Sequence, residues 1–378
     1  MSLIIPITIV LAVGWLCLAA QVLAILCFAR RALPGSQQQQ RRRPISVLKP
    51  LHGAEPRLYQ NLRSFVDQDY PSVQIVFGVN NPADAALDDA RALIRDFPAK
   101  DIALVIDRRL RGSNQKVSNL ENMLPAARHD LFVLADSDMR VDGSYLAAVT
   151  APLDDSRIGA VTCLYKGFST GGFWSDLGAL QMNFWFLPNA LFGNALRIGG
   201  GCFGATIALS RATLDSIGGF ASFRDELADD RRIGDAVRAQ GLAVVLSRYL
   251  VEAQVHEPSL AALWRHELRW ARTMRRLAPL GFAGSIVTYP VAIAMLGAAG
   301  SEFGMIPCAL LGITIALRLM AARLIARRLD LSAERLWLLP ARDILSFSVY
   351  VASFFGRRVL WRDHAFEVEP SGRITAAE

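Results

Sequence analysis

The stretch Leu131-Phe132-Val133-Leu134-Ala135-Asp136-Ser137-Asp138 decides the fold class, because a short apolar run ends abruptly in two carboxylates. An apolar run of strand length is typical of a parallel sheet that is covered on both faces. Open α/β sheets bind ligands at the carboxyl ends of such strands. Asp136 and Asp138 therefore form a candidate site for a divalent metal (Mg²⁺ or Mn²⁺), which prefers oxygen ligands and often shares them with phosphate. The alternative is a solvated turn, since Asp and Ser are common turn residues.

Around this stretch, from Pro44 to about His256, strand-like and helix-like segments alternate. The predicted strands are 45–48, 73–79, 102–106, 131–135, 159–164, 205–209 and one or two within 244–255. The predicted helices are 56–67, 84–97, 119–127, 225–240 and a segment that ends at Gly218-Gly219. This alternation predicts an α/β domain with a largely parallel sheet, whose right-handed crossovers place the strand ends on one edge.

The composition indicates a water-facing domain attached to a membrane. Of the 378 residues, 52% are hydrophobic and 20% are charged. The net charge of +7 comes from arginines that cluster beside apolar segments, which favours anionic lipid headgroups as their partners. The basic residues show no zinc-finger spacing and no RNA-binding signature, so no nucleic-acid partner is expected. The five scattered cysteines indicate neither a disulfide framework nor a zinc site, and the oligomeric state stays open.

The first segment, 1–30, is predicted to be a transmembrane anchor, because residues 3–29 are almost wholly apolar and long enough to span. Positive charge follows this segment, in a basic and polar linker over 31–43, whereas a cleavable signal peptide carries it in front. By the positive-inside rule the amino terminus faces outside and the domain 44–258 lies in the cytoplasm. We therefore expect a multi-pass protein of a bacterial-type inner (plasma) membrane.

The carboxyl-terminal third is predicted to return to the membrane. A basic amphipathic helix over 259–279 suits the inner membrane face. Within 280–356, the segments 280–300 and 303–322 form a hairpin whose turn, Ser301-Glu302, faces outside, with Arg318 free to snorkel. The segment 336–356, interrupted at Pro340, is expected to be interfacial or re-entrant, and 357–378 to be a basic and polar tail. The aromatic-rich segment 173–196 is either a core helix or a surface that dips into the bilayer interface.

Five ordered motifs resemble those of family 2-like, GT-A-type inverting glycosyltransferases. They are Lys49-Pro50-Leu51 (followed by Asn61-Leu62 and Gln68-Asp69-Tyr70-Pro71), Gly112 to Leu120, Asp136-Ser137-Asp138, Ile217-Gly218-Gly219-Phe220 with Leu227-Ala228-Asp229-Asp230, and His266-Glu267-Leu268-Arg269-Trp270. The resemblance covers about Pro44 to Arg276. The branch it resembles most is the glycosyltransferases associated with hopanoid biosynthesis, with the ceramide glucosyltransferases as a sister group.

The resemblance implies a GT-A-type (Rossmann-like) nucleotide-sugar domain flanked by amino- and carboxyl-terminal transmembrane helices. It implies that Asp136 and Asp138 hold the metal and that Asp230 is the catalytic base. Arg269 would contact the diphosphate, and Trp270 would wall off the sugar or the acceptor. The residues that would bind the UDP-sugar are Lys49, Pro50, Asn81, Lys116, Asn119 and Asp136.

Two positions depart from the family pattern. Asn81 stands where the family usually has an Asp that contacts uracil and ribose, and His266 replaces the usual Gln or Arg. Asn still donates and accepts hydrogen bonds, so the nucleotide preference is the property in question. Simpler structural roles also remain open: Lys116 and Asn119 as loop or cap residues, and Arg269 as a headgroup contact.

The function that this resemblance implies is transfer of a hexose or N-acetylhexosamine from a UDP-sugar to a hydroxyl of a membrane lipid, with a hopanoid polyol as the first acceptor and ceramide as the second. Two alternatives stay open. One is a processive polysaccharide synthase, which needs a translocation channel built from membrane segments. The other is a catalytically inactive membrane scaffold that keeps the fold for binding partners.

Overall fold

A computed structural model describes residues 4–30, 42–196, 201–356, 358–361, 364–368 and 374–376. The expected linker 31–43 therefore falls largely outside the described residues. The helices are α1 Ile4–Arg30, α2 Leu58–Val66, α3 Ala86–Asp96, α4 Gln115–Met123, α5 Tyr145–Thr150, α6 Phe173–Gln181, α7 Leu187–Ala195, α8 Arg211–Ser216, α9 Asp229–Ala239, α10 Leu260–Leu277, α11 Pro279–Gly284, α12 Pro290–Gly300, α13 Met305–Leu329 and α14 Leu339–Ser353. The strands are β1 Ile45–Leu51, β2 Val73–Val79, β3 Asp101–Ile106, β4 Leu131–Leu134, β5 Met139–Arg140, β6 Ile158–Thr162, β7 Tyr165–Ser169, β8 Ile207–Ser210, β9 Ala243–Leu246, β10 Val251–Val255, β11 Arg358–Trp361, β12 His364–Val368 and β13 Ile374–Ala376.

The main sheet of the described chain has seven strands in the order β3-β2-β1-β4-β8-β6-β9. Four of its pairings are parallel, as expected, but β8 runs antiparallel to both β4 and β6. A short apolar strand has the same residue pattern in either direction, so the sequence does not reveal this reversal. The result is an α/β domain with a mixed sheet, in which β4 lies at the centre.

Helices cover both faces of the main sheet. On one face, Leu58, Leu62 and Phe65 of α2 pack with α3 and α5 into the larger core. Their spacing of three and four residues places them on one side of the helix. On the other face, Val117 and Leu120 of α4 pack with α8 and α9. The starts of α4 and α9, which carry Lys116 and Asp230, reach the sheet edge that carries Asp136.

A small second sheet, in the order β5-β10-β7, fixes the chain just beyond the two aspartates. Directly after Asp138, β5 pairs antiparallel with β10, and Gln254 N–H donates to the carbonyl of Asp138 at 2.9 Å. These pairings hold both ends of the loop that carries Asp136 and Asp138. The loop is therefore a turn whose two ends are fixed by strand pairing in two different sheets.

Two helices of the described chain are long and apolar enough to cross a membrane, over Pro6–Ala29 and Met305–Leu329. The predicted span 280–300 is different: Pro279–Thr288 and Pro290–Gly300 meet at a bend of 67°. Pro290 explains the break, because proline has no N–H to continue a helix and restricts the residue before it. The membrane-length segment expected at 280–300 is thus a bent pair of helices in the structure.

The structure also corrects the expectation for Arg318. Its side chain is buried within α13 and forms a bidentate ion pair with Asp343 of α14, with contacts of 2.7 and 3.0 Å, so it does not snorkel. Pro340 does not interrupt the following segment either, since it lies in the first turn of α14, where its missing N–H costs nothing. The expected interruption is the start of a helix.

The segment 173–196 is a nearly continuous helix in which α6 and α7 are joined by a π-helical turn, Met182–Phe186. Leu180, Phe184 and Leu191 are buried against residues of α1, α13 and α14. Of the two interpretations, the core helix describes most of this segment. Beyond α14, the expected polar tail carries β11, β12 and β13, which pair as a small antiparallel sheet.

Candidate active site

Three charged side chains from distant parts of the sequence meet at the carboxyl end of β4. The ammonium group of Lys116, in the first turn of α4, lies 2.5 Å from Asp136 Oδ1 and 3.9 Å from Asp229 Oδ2. Burial lowers the pKa of Lys116, but the carboxylates of Asp136 and Asp229 outweigh burial and bring it above its ordinary value. Lys116 is therefore a charged member of the site and more than a loop cap.

Asp230 is held at the same place by backbone donors. Its Oδ2 accepts from Gly204 N–H at 2.8 Å, and its Oδ1 accepts from Arg231 N–H at 2.7 Å. A Cβ atom at Gly204 would lie 3.1 Å from Asp136 Oδ2 and 3.4 Å from both Asp230 Oδ2 and Lys116 Nζ. Gly204 is thus the point around which these three groups converge, and sequence reasoning missed it because a single glycine carries no motif.

Asp138 lies among negative groups. Burial, and then the charges of Glu55 and Asp136, raise the pKa of Asp138 to about 8. Ser137 Oγ donates to Glu55 Oε1 at 2.8 Å, which keeps Glu55 beside the loop. Within the described part of the chain, no group of three or more His, Cys, Asp or Glu side chains is arranged to hold a metal ion. The oxygen donors of Asp136 and Asp138 nevertheless fit a divalent cation that completes its shell from a diphosphate, since a cation would relieve their repulsion.

Lys49 and Pro50 lie beneath the site. The side chain of Lys49 is fully buried, its ammonium lies 3.7 Å from the centre of the Phe65 ring, and it donates to the backbone carbonyl of Asp136. Burial lowers the pKa of Lys49 to about 7, against the opposing charge of Asp136. Pro50 is buried in β1 opposite Gly78. In this structure Lys49 supports the Asp136 loop from behind, and Pro50 lies in the strand next to it.

The structure does not bring Asn81 and Asn119 into the charged cluster. Asn81 is exposed, and its side chain accepts from the N–H of Ala83. Asn119 is buried and donates to the carbonyl of Gly78 at 2.7 Å, which ties α4 to β2. Asn80, next to Asn81, faces the other way: it donates to the carbonyl of Gln115, and its buried Oδ1 has no hydrogen-bond partner among the described residues.

Helix α10 brings Arg269 and Trp270 to the domain. Trp270 packs partly buried against the larger core, and the His266 ring meets it edge-on at 4.6 Å. His266 Nδ1 lies 2.6 Å from Glu257 Oε1, so the residue that departs from the family pattern is tied to a neighbouring carboxylate. Burial and then the charge of Asp230 raise the pKa of Tyr165, and the charge of Arg269 on α10 opposes them.

Tyr165 is a second residue that sequence reasoning missed. Burial, followed by the charge of Asp230, raises the pKa of Tyr165 above its ordinary value. Its ring stacks on Phe186 at a centroid distance of 4.8 Å. An aromatic residue in a strand is ordinarily a packing residue, so nothing in the pattern separates Tyr165 from the core. Burial and the negative charge of Asp230 together keep its hydroxyl group neutral.

The chain is similar in sequence to known ceramide glucosyltransferases. Ceramide glucosyltransferase 1 of Caenorhabditis elegans is 27% identical over 240 residues, which are 62% of this chain and 50% of that protein. Ceramide glucosyltransferase of Komagataella phaffii is 30% identical over 136 residues, which are 34% of this chain and 26% of that protein. The chain thus spans about half the length of the first relative, and less of the second.

A solved structure supports the fold assignment. The mannosyltransferase PcManGT from Pyrobaculum calidifontis, in complex with GDP-Man and Mn²⁺, has a TM-score of 0.52 at 18% identity, covering 92% of this chain and 99% of that one. The α/β fold with its mixed sheet is therefore GT-A-like. The model of glycosyl transferase family 21 matches residues 9–374, and the chain belongs to that family.

Proposed function

We propose that this protein is an inverting, metal-dependent glycosyltransferase that moves a hexose or N-acetylhexosamine from a UDP-sugar to a hydroxyl of a membrane lipid. The observation that carries the proposal is the convergence of Asp136, Asp230 and Lys116 around the backbone of Gly204. One carboxylate pair at a strand end and a separate carboxylate at a helix start are the parts that such a transfer needs. The membrane-length helices α1 and α13 support a lipid as the acceptor.

The leaving diphosphate would lie over Asp136 and Asp138. A divalent metal bound there would supply stabilisation of the charge that builds on the leaving diphosphate. Lys116 orients the Asp136 carboxylate through their 2.5 Å contact. Arg269 would add a planar, permanently charged donor to the phosphates, a geometry that lysine does not provide. Lys49 holds the loop from below through the carbonyl of Asp136.

Asp230 would activate the acceptor. In a single displacement the acceptor oxygen bonds to the anomeric carbon, the bond from that carbon to the diphosphate oxygen breaks, and the hydroxyl proton passes to Asp230. Two backbone N–H groups fix this carboxylate, so it needs no reorientation during the reaction. A pKa of about 6 keeps it ionised yet basic near neutral pH. Attack from the face opposite the diphosphate inverts the anomeric configuration.

The acceptor is proposed to be a hopanoid polyol first and ceramide second. The sequence resemblance to the hopanoid-associated branch supports the first, and the ceramide glucosyltransferase relatives support the second. With α1 as an anchor, the domain is proposed to face the cytoplasm at a bacterial-type inner membrane. Both acceptors offer a hydroxyl on an apolar body, so the chemistry at Asp230 is the same for each.

The test is transfer by the purified full chain in detergent with Mn²⁺, a panel of UDP-sugars and either lipid. We expect UDP release that depends on the lipid and a product that carries one sugar. Asp230→Asn should abolish turnover while UDP affinity, measured by calorimetry, stays within about threefold of the parent, because this residue acts on the acceptor side.

Arg128→Gln is the matched control, since Arg128 pairs with Asp101 on the exposed surface. No UDP release from any UDP-sugar with either lipid would overturn the proposal. Long sugar chains on the product would instead favour a processive synthase. Absence of any heat with UDP and Mn²⁺ would favour an inactive scaffold.

A further inference from the structure

Helix α10, which carries Arg269 and Trp270, is tied to α14 by a buried ion pair. Glu267 is buried on α10, and its Oε1 accepts from Arg342 Nη2 of α14. Arg342 is only 1% exposed, so this pair lies inside the protein. Arg342 Nε and Nη1 have no hydrogen-bond partner among the described residues, so Glu267 is the group that offsets its charge.

The neighbouring residue on α14 makes a second buried pair with a different helix. Asp343 accepts from Arg318 Nε at 2.7 Å and from Arg318 Nη2 at 3.0 Å, a bidentate contact with both side chains 5% exposed. Adjacent residues point in different directions around a helix, so Arg342 reaches α10 while Asp343 reaches α13. Two arginines and two carboxylates thus form a charge-balanced chain from α13 through α14 to α10.

Two further arginines of α10 hold the other end of α14. Arg272 Nη2 donates to the carbonyl of Phe355 at 2.8 Å, and Arg275 Nη2 donates to that of Gly356 at 3.1 Å. These carbonyls follow the last turn of α14. The carboxyl end of a helix carries partial negative charge, so cationic side chains interact favourably with it. Helix α14 is therefore fixed to α10 near both of its ends, whereas membrane association alone would need none of these contacts.

Buried ion pairs are a costly way to join helices, since apolar side chains of similar size do so without desolvating charge. What an ion pair adds is a defined geometry, because each partner accepts its neighbour in few orientations. We propose that Glu267 and Arg342, supported by Arg318 and Asp343, are positioning residues that set the placement of α10, and so hold Arg269 and Trp270 at the donor site. This inference rests on the proposed function for its catalytic consequence.

The first arm of the test measures helix placement without activity. Spin labels are attached at Arg265→Cys on α10 and Asp88→Cys on α3, which are both exposed positions. Pulsed electron paramagnetic resonance measures the distance between the two labels. The background has Cys17, Cys27 and Cys308 replaced by Ser, so that only the introduced cysteines are labelled. We expect one narrow distance distribution in the parent. Arg342→Gln should broaden or shift it, Arg342→Lys should restore part of it, and Arg128→Gln should leave it unchanged.

The second arm measures catalysis well below the melting temperature of each variant. Arg342→Gln should lower kcat about tenfold to a hundredfold, the effect of a displacement near 1 Å at a reacting group. Asp343→Asn should also lower kcat, but by a smaller factor, because Asp343 pairs with Arg318 of α13 and acts on α10 only through α14. Arg342→Lys should recover part of the loss, which a change in folded fraction alone would not do.

The outcomes separate the two proposals. The positioning role is overturned if Arg342→Gln leaves the distance distribution unchanged. It is also overturned if the distribution changes while kcat and UDP affinity equal those of the parent. A melting temperature that falls while kcat of the folded protein is unchanged also overturns it. A parent protein that neither binds UDP nor transfers sugar overturns the proposed function, while the spin labels still report whether the pairs set the placement of α10.

Discussion

Gly204 shows how closely the charged groups of the site approach one another. Lys116, Asp136 and Asp230 come from three separate segments, and all lie within 3.4 Å of the space that a Cβ of residue 204 would occupy. Gly204 N–H also supplies one of the two backbone donors to Asp230. The absence of a side chain here is therefore part of the geometry of the site.

Gly204→Ala should impair activity more than folding. The added methyl group must displace Asp136 or Asp230 by a few tenths of an ångström, so we expect kcat to fall about tenfold or more, the size of effect that small misplacements have at reacting groups. The melting temperature should stay within a few degrees. Gly284→Ala is the matched control, because a Cβ there meets nothing within 4 Å. Equal kcat in the parent and Gly204→Ala would contradict this account of the site.

The pH dependence of transfer should report Asp230. Burial raises its pKa to about 6, and the carboxyl must be ionised to accept a proton, so kcat/KM, which reports the free enzyme, should fall as the pH drops through about 6. The slope of log kcat/KM against pH should approach one. Saturating Mn²⁺ is needed in the assay, because Asp138, with a pKa of about 8, binds a proton in competition with a cation. A constant kcat/KM down to pH 5 would exclude Asp230 as the base.

At this scale the sequence predicted the positions of the carboxylates and of Lys116 better than that of Lys49, while the roles of all these residues stay predictions. Asp136, Asp138 and Asp230 follow strand ends or begin a helix, positions that a pattern reveals. Lys49 also follows the pattern of a strand end, yet the structure buries it over Phe65. Which face of β1 carries the lysine depends on packing between distant segments, and the local sequence does not record it.

Among the elements, α14 differs most from expectation. Its isolated proline and two charged residues suggested an interruption, but Pro340 begins the helix and Arg342 and Asp343 point to partners in α10 and α13. Those partners are 75 and 25 residues away in sequence. A charged residue in an apolar segment signals that a partner exists, but not which one, so the pairing lay beyond sequence reasoning.

The Arg318–Asp343 pair should show strong coupling in a double-mutant cycle. Arg318→Met alone leaves a buried carboxylate without its partner and should cost about 3–5 kcal/mol of unfolding free energy. The double variant Arg318→Met with Asp343→Leu removes both charges and should recover most of that loss. Denaturant unfolding in detergent measures all four proteins of the cycle. Additive losses in the double variant would show that the two side chains do not stabilise each other.

At the scale of the whole molecule, the membrane-length helices α1 and α13 share a packed core with α6, α7 and α14. Residues of α1, α6, α7, α13 and α14 bury one another, so the anchor is not a separate tether. Gln21 of α1 donates to Asn189 of α7 at 2.9 Å, a polar contact between these two helices. The alternation of apolar runs predicted the α/β domain but not this shared core. Hydropathy predicts that a helix can span a membrane, but it does not predict which helices pack against it.

The orientation of the chain can be measured directly. With the domain on the cytoplasmic side, the turn between α12 and α13 lies outside, so Glu302→Cys should react with a membrane-impermeant maleimide in intact spheroplasts. Ala221→Cys, an exposed position in the sheet domain, should react only after permeabilisation. The background has Cys17, Cys27 and Cys308 replaced by Ser, which removes the native thiols that are not buried. The reverse labelling pattern would place the domain outside.

The π-helical turn at Met182–Phe186 has a consequence for how this chain tolerates changes in length. The turn contains more residues than an α-helical turn, and here Phe186 stacks on Tyr165 while Trp185 stacks on Tyr289 at 5.4 Å. Because a π-helical turn holds one extra residue within a single turn, deleting one residue here would convert it to an α-helical turn and leave α7 at nearly the same rotation relative to α6. A single-residue deletion within α6 itself would instead rotate α7 by about 100° and turn Asn189 away from Gln21, so the π-helical turn is where this helix tolerates a loss of one residue.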